Sequence, residues 1–352
     1  MFAVIIAGGR GTRFWPASRK NQPKQLLNIV GEHSMLQMTV DRFQKMKNVE
    51  DIYIITGAHL EKKIKQTISG VSPKNIIIEP SAKNTAPAIG LAALYIKQRR
   101  TDAVMGVFPA DHLIVGARKF SKAVRSAIQV ANKRETLVTI GIQPHYAATG
   151  YGYIQYNPKS TNKHLNAFSV KTFAEKPHQK LAERFLKSGD FLWNGGMFVW
   201  NVESFFNELS IHMPELNNQL LKIDSRIVKK EIFSRLWNKI EPESIDYGLL
   251  EKTKNIFVIK AEFDWNDLGS WNSIFDISRK SKDNNVVRGQ GVVVDGKNNF
   301  IESPDQFTAI IGQSDLVVVS TSDATLVVPR DRVEEVKRII EYLEANKKSD
   351  LL

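Results

Sequence analysis

The first thirty-one residues carry five cations, Arg10, Arg13, Arg19, Lys20 and Lys24, and no acidic side chain. Cations with no neighbouring carboxylate to neutralise them make a field that draws in an anion. Gly8, Gly9 and Gly11 interrupt the same stretch. Glycines let a chain turn sharply enough to aim several backbone N–H groups at one point, a nest for phosphate oxygens. Pro16 and Pro23 stiffen the segment behind them and would hold Lys24 at a fixed reach from the turn. Two familiar phosphate motifs do not fit. The Walker A loop needs Gly-Lys-Ser/Thr four residues after its first glycine, and the dinucleotide fingerprint needs a third glycine where Phe14 stands.

Further along, Glu79 opens the run EPSAKNTAP. A carboxylate there is a hydrogen-bond acceptor. Asn84 or Thr85 is a plausible helix cap in the same run, with Pro87 in the first turn. Asp111, in FPADH, is a hard oxygen donor suited to Mg²⁺ bridging phosphates; the adjacent His112 suits that ion poorly and is read as structural. Asp264 and Asp267, in DWNDLGSW, are two more candidate oxygen donors.

The elements that must position these groups follow from hydrophobic period. Residues 2–7 read as a strand buried on both faces, and short apolar runs at 52–56, 75–78, 103–108 and 136–142 read as further strands. Helical spacing fills the intervals at 34–46, 60–68, 85–100 and 119–132. Such alternation implies an α/β fold with a mainly parallel sheet, whose ligands lie beyond the carboxyl ends of the strands. Residues 191–200 read as a strand broken by Gly195 and Gly196, and 214–252 as mostly helical and without chemistry. Residues 282–285 read as a linker. Short Val/Ile runs then recur to 328, and a helix at 332–344 carries Val333, Val336, Ile339, Ile340 and Leu343 on one stripe.

Taken together, GGRGTRFWPASRKNQPKQ resembles the signature loop of sugar-phosphate nucleotidyltransferases, in the variant of the mannose-1-phosphate guanylyltransferases. The resemblance extends in order through the segments at 79–87, 108–112, 148–154, 175–177, 191–200 and 264–271. It implies a Rossmann-like, mainly parallel mixed sheet with a small C-terminal β-helix-like domain, divided as 1–281 and 285–352. It implies nucleotide contacts at Ala7, Gly8, Gly9, Gly11, Thr12, Arg13, Lys24, Glu79, Asn84, Thr85, Ala86 and Asp111, with Arg13 and Lys24 catalytic. Gly150, Glu175, Lys176 and Asn194 would hold the sugar phosphate, and Asp111 and Asp267 would hold Mg²⁺. The implied reaction joins GTP and mannose 1-phosphate into GDP-mannose and pyrophosphate. Some relatives continue into a phosphomannose isomerase domain, which this sequence is expected to lack.

Composition bounds the rest. At 42% hydrophobic and 24% charged residues the chain is globular rather than disordered. A net charge of +12 would suit a nucleic-acid binder, yet most lysines lie on apparent helix faces and no nucleic-acid motif is present. The absence of cysteine excludes disulfides and thiolate chemistry. The apolar start is too short for a signal peptide, and no run approaches the roughly twenty residues of a membrane span. A cytoplasmic homodimer that binds neither membrane nor nucleic acid is expected. The rival readings are a nucleotidyltransferase for glucose or heptose phosphate using ATP, UTP or dTTP, and a non-catalytic sensor of nucleotide sugars.

Overall fold

A computed structural model describes residues 1–352 apart from Arg10, Lys163 and residues 225–229. Arg10, one of the five loop cations, and part of the helical stretch expected at 214–252 therefore lie outside the described residues. Among the described residues fifteen strands run in chain order: β1 Phe2–Ile6, β2 Asp51–Gly57, β3 Ile76–Glu79, β4 Val104–Pro109, β5 Leu113–Val115, β6 Leu137–Ile142, β7 Tyr153–Asn162, β8 Ala167–Ala174, β9 Phe191–Asn201, β10 Ile256–Lys260, β11 Asp264–Asn266, β12 Val286–Val294, β13 Phe300–Ile311, β14 Leu316–Ser320 and β15 Thr325–Pro329. Packing gathers them into two compact units, each discontinuous in sequence. The first comprises Met1–Gly8, Thr39–Ala110 and Ile114–Trp265; the second comprises Gly9–Met38, Asp111–Leu113 and Asn266–Leu352.

The first unit is built on a nine-stranded sheet of order β3-β2-β1-β4-β9-β6-β10-β8-β7. Its apolar strands β1, β2, β3 and β4 pair in parallel, as the alternation of strand and helix requires. Strand β9 then enters antiparallel to both β4 and β6, so the sheet is mixed. The expected break at Gly195 and Gly196 takes the form of a register irregularity: β9 is one strand of eleven residues, but its pairing with β6 passes from Phe198 opposite Thr139 to Asn194 opposite Gly141. Its glycines serve close approach, since a Cβ on Gly195 would stand 2.9 Å from the Ile140 carbonyl oxygen. Small residues do similar work in the helix Thr85–Arg99, where a Cβ on Gly90 would meet Leu220 at 2.4 Å. No helix among the described residues is long and apolar enough to cross a membrane.

The second unit contains a coil of parallel strands. β12 pairs with β13 and β13 with β14 in parallel, although only a few residues connect each to the next. Parallel neighbours ordinarily need a long crossover, so connections this short force the chain to wind around its own axis. Strand β12 bends at Gly289, where its register with β13 shifts: Gly289 has φ +86, and a Cβ there would lie 2.1 Å from the Ser303 carbonyl oxygen. The segment at 282–285 is more than a linker. Buried Asn285 donates to the Gly296 carbonyl and accepts from Asn299 N–H, both at 2.8 Å; Asn299 donates to the Gln313 carbonyl at 2.8 Å and accepts from Leu316 N–H at 3.0 Å. One asparagine thus hands the pattern to the next, one turn on.

Strand β15 closes this sheet antiparallel to β14. The terminal helix differs from its expected form: residues Arg330–Val336 are a 3₁₀ helix, and the α-helix spans Lys337–Ala345. Val333, Val336 and Leu343 are buried in a cluster with Phe14, Trp15 and Trp271, whereas Ile339 faces outward.

Candidate active site

In the second unit, the loop after β1 is shaped by Gly11, which holds φ 62 and opens the 3₁₀ turn Thr12–Phe14. A Cβ on Gly11 would stand 2.4 Å from the Lys24 Cβ and 2.8 Å from its amide nitrogen, so only glycine lets Lys24 pack here. The Gly9 and Gly11 carbonyls are tied back by Gln25 Nε2 at 3.1 Å and Ser18 Oγ at 2.8 Å. Trp15 Nε1 donates to the Leu351 carbonyl at 2.8 Å, and Arg19 pairs with Asp323 at 2.8 Å. The loop is therefore braced by residues more than three hundred positions downstream.

Lys24 is 6% exposed, and its Nζ lies 2.8 Å from Asp111 Oδ2 and 2.5 Å from the Asp267 carbonyl oxygen. One buried ammonium thus joins the two aspartates expected to be metal ligands. Burial opposes ionisation of Asp111, but the Lys24 and His112 charges outweigh it and hold its carboxyl below the ordinary value. Asp267 keeps its carboxylate close to Gly269, where an added Cβ would meet Oδ2 at 2.9 Å. No group of three or more His, Cys, Asp or Glu among the described residues could hold a metal. Two carboxylates completed by phosphate oxygens and water nevertheless fit Mg²⁺, which keeps several waters and takes few protein ligands. Arg13, expected to grip phosphate, pairs instead with Glu334 at 3.0 Å, both side chains being more than half exposed.

In the first unit, Glu79 ends β3 with its side chain buried. Its Oε1 has no hydrogen-bond partner, and burial pushes its carboxyl up to about 7. Gly8 faces it: a Cβ at that position would lie 3.6 Å from Glu79 Oε2. Ala7 is committed to the sheet edge, its carbonyl accepting from Thr56 Oγ1 at 3.0 Å. The helix start is also committed. Asn84 Oδ1 caps Thr85 N–H at 2.8 Å, Thr85 Oγ1 accepts from Ile245 N–H at 2.9 Å, and Ala86 N–H donates to the Glu243 carbonyl at 3.1 Å. Capping by Asn84 and contacts with residues 243–245 account for these hydrogen bonds.

A second cluster of this unit gathers Glu175, Lys176 and Asn194. Glu175 Oε1 pairs with Lys176 Nζ at 2.8 Å, yet the Glu175 side chain is only 8% exposed and its Oε2 has no partner. Burial alone would lower the Lys176 pKa, but pairing with Glu175 prevails and raises it. The glycine that makes room is Gly152, where a Cβ would fall 2.3 Å from Glu175 Oε2; around Gly150 the space is open. Asn194 N–H donates to the Gly152 carbonyl at 2.7 Å, and Asn194 Oδ1 accepts from Gly196 N–H at 3.1 Å.

The residue that sequence reasoning missed is Asp246. Its Oδ1 accepts from Asn194 Nδ2 at 2.8 Å, and burial together with the Glu175 charge pushes its carboxyl up to about 6. Asp246 starts a π-helical turn, Asp246–Leu250, inside the stretch read as plain helix. The available signal was one acid set in SIDYGLL, between Ile245 and the buried leucines Leu249 and Leu250.

Comparison with known proteins gives the family. Residues 2–284 match the family model for nucleotidyl transferases, and residues 289–343 match that for the MannoseP isomerase/GMP-like β-helix domain. A mannose-1-phosphate guanylyltransferase of Klebsiella pneumoniae is 37% identical over 99% of this chain and 75% of its own length. The mannose-1-phosphate guanylyltransferase RfbM of Salmonella typhimurium is 39% identical over 99% and 73%. Among solved structures, a Thermus thermophilus protein described as a mannose-1-phosphate geranyltransferase superposes with a TM-score of 0.88 at 26% identity, covering 97% of this chain and 99% of that one.

Proposed function

Because the chain belongs to the nucleotidyl transferase family, alongside its mannose-1-phosphate guanylyltransferases, we propose that it transfers GMP from GTP to α-D-mannose 1-phosphate, giving GDP-mannose and pyrophosphate. The observation that carries the reading is the buried Lys24 ammonium shared by the Asp111 carboxylate and the Asp267 carbonyl. A buried lysine held between two candidate metal ligands is costly to assemble unless a polyanion is to be bound there.

An oxygen of the sugar phosphate attacks the α-phosphorus of GTP, and the bond from that phosphorus to the bridging oxygen breaks to release pyrophosphate. The second pKa of a phosphate monoester is about 6, so the nucleophile is mostly dianionic at neutral pH and needs no general base. What remains is to align two anions that repel one another and to stabilise the charge of the transition state. The backbone amides of residues 8–12 and Arg13 hold the β- and γ-phosphates, for which Arg13 must leave Glu334. Lys24 holds the transferring phosphate, and Lys176 the nucleophile. Glu79 reads the guanine edge; the start of the helix Thr85–Arg99 frames the base. Glu175 and Asn194 accept and position sugar hydroxyls. Enzymes of this family use a divalent metal ion; Mg²⁺ on Asp111 and Asp267 would neutralise phosphate charge when bound. Residues 1–281 serve as the catalytic domain and 285–352 as a C-terminal module.

Pyrophosphate release tests the reading, with GTP, ATP, UTP and dTTP each paired with mannose, glucose and heptose 1-phosphates. Release with GTP and mannose 1-phosphate above all other pairs is expected. A preference for another pair would move the substrate assignment, and nucleotide-sugar binding with no release would make the protein a sensor.

A further inference from the structure

Glu175 and Asp246 bring two carboxylates together; the Lys176 ammonium and the Asn194 amide face them, and a backbone N–H of Asp246 also supports the Asp246 carboxyl. Lys176 is used on Glu175 Oε1, and Asn194 Nδ2 on Asp246 Oδ1. Glu175 Oε2 is left buried without a donor. A buried acceptor without a donor is costly. The surroundings are built around this shortage. Gly152 clears the space for Oε2, and Glu251 Oε1 fixes the backbone by accepting from Glu175 N–H at 2.9 Å. Asn194 is itself oriented by Gly196 N–H, which turns its NH2 toward Asp246 with one N–H spent there.

We propose that Asp246 is a specificity-determining residue, accepting a hydrogen bond from one ring hydroxyl of the hexose phosphate while Glu175 accepts from the neighbouring one. The inference rests on the sugar-phosphate reading above and adds to it a residue on the π turn. Two acceptors fixed side by side demand two adjacent donors, which a hexose bearing vicinal hydroxyls supplies and a deoxy sugar lacking one of them does not. Burial and the Glu175 charge, which push the Asp246 carboxyl up to about 6, show the strain that such donors would relieve.

The test compares the full-length wild type and Asp246→Asn in steady-state GDP-mannose formation. Substrates are mannose 1-phosphate and its 2-, 3- and 4-deoxy analogues. A lost charge-assisted hydrogen bond raises KM for mannose 1-phosphate by about 10- to 100-fold, with KM for GTP changed less than about twofold. For one deoxy analogue the wild type should lose affinity to the same extent and the substitution should add nothing. Were Asp246 only to orient Asn194, the loss would be equal for every analogue, and that result overturns the proposal, as does an unchanged KM for mannose 1-phosphate. Should the variant fail to fold, the wild type alone decides: it must discriminate against loss of two adjacent hydroxyls, and indifference to both overturns the proposal. Wild-type turnover confined to another hexose 1-phosphate overturns the mannose assignment alone, and the same comparison then runs on that sugar's deoxy series. No turnover with any hexose 1-phosphate overturns both.

Discussion

Lys24 is the residue on which the chemistry concentrates, because it is buried, cationic and bonded to both Asp111 and Asp267. Lys24→Ala removes the only charge assigned to the transferring phosphate. Turnover should fall by about 100-fold or more, while Asp111, a third exposed, is rehydrated and the fold persists. Steady-state kinetics beside circular dichroism checks both parts. Glu79 makes a different prediction through its pKa of about 7. A carboxyl whose folded pKa lies above its unfolded value binds its proton more tightly when folded, so it costs stability as pH rises from about 4.5 to about 7 and beyond. Glu79→Gln should match the wild type in thermal stability near pH 4.5 and exceed it at pH 8 by about 1–3 kcal/mol. The same variant should weaken GTP binding at pH 8, where the wild type offers an ionised acceptor to guanine. Lys24 and Glu79 were legible in the sequence because their neighbours carry information: a run without acids around one, a strand end before a helix start around the other. Asp246 was not. Its importance comes from Asn194 and Glu175, which are remote in sequence, and no local period announces a π turn.

At the level of elements, strand and helix order was readable because apolar runs and helical spacing are local properties. The pairing of β9 was not, for nothing within Phe191–Asn201 specifies an antiparallel place between β4 and β6. The parallel coil of the second unit shows the same limit. Its Val/Ile runs were visible, but Asn285 read as part of a linker until its partners eleven and fourteen positions away came into view. Asn299 is fully buried and makes two side-chain bonds, to the Gln313 carbonyl and from Leu316 N–H. Asn299→Ala strands both backbone groups inside the coil, and should cost about 1–3 kcal/mol for each group left unsatisfied. Urea denaturation should show the midpoint lowered with the slope retained; an unchanged midpoint would mean that water replaces the side chain.

For the molecule as a whole, the packing of the signature loop is the feature that sequence order concealed. Gly9–Met38 belongs to the same compact unit as Asn266–Leu352, with Trp15 bonded to Leu351, Arg19 to Asp323 and Arg13 to Glu334. Contacts across such sequence separations leave no trace in hydrophobic period, whereas the cations and glycines of the loop do. The account stands on the claim that the loop grips the tail of a nucleoside triphosphate. A crystal structure with GTP and Mg²⁺ tests it most directly. The account predicts phosphate density against the Gly9 and Gly11 amides and Lys24 Nζ, with Arg13 turned from Glu334 onto the phosphates. Density for the nucleotide elsewhere, with the loop empty and the Arg13–Glu334 pair intact, would contradict it.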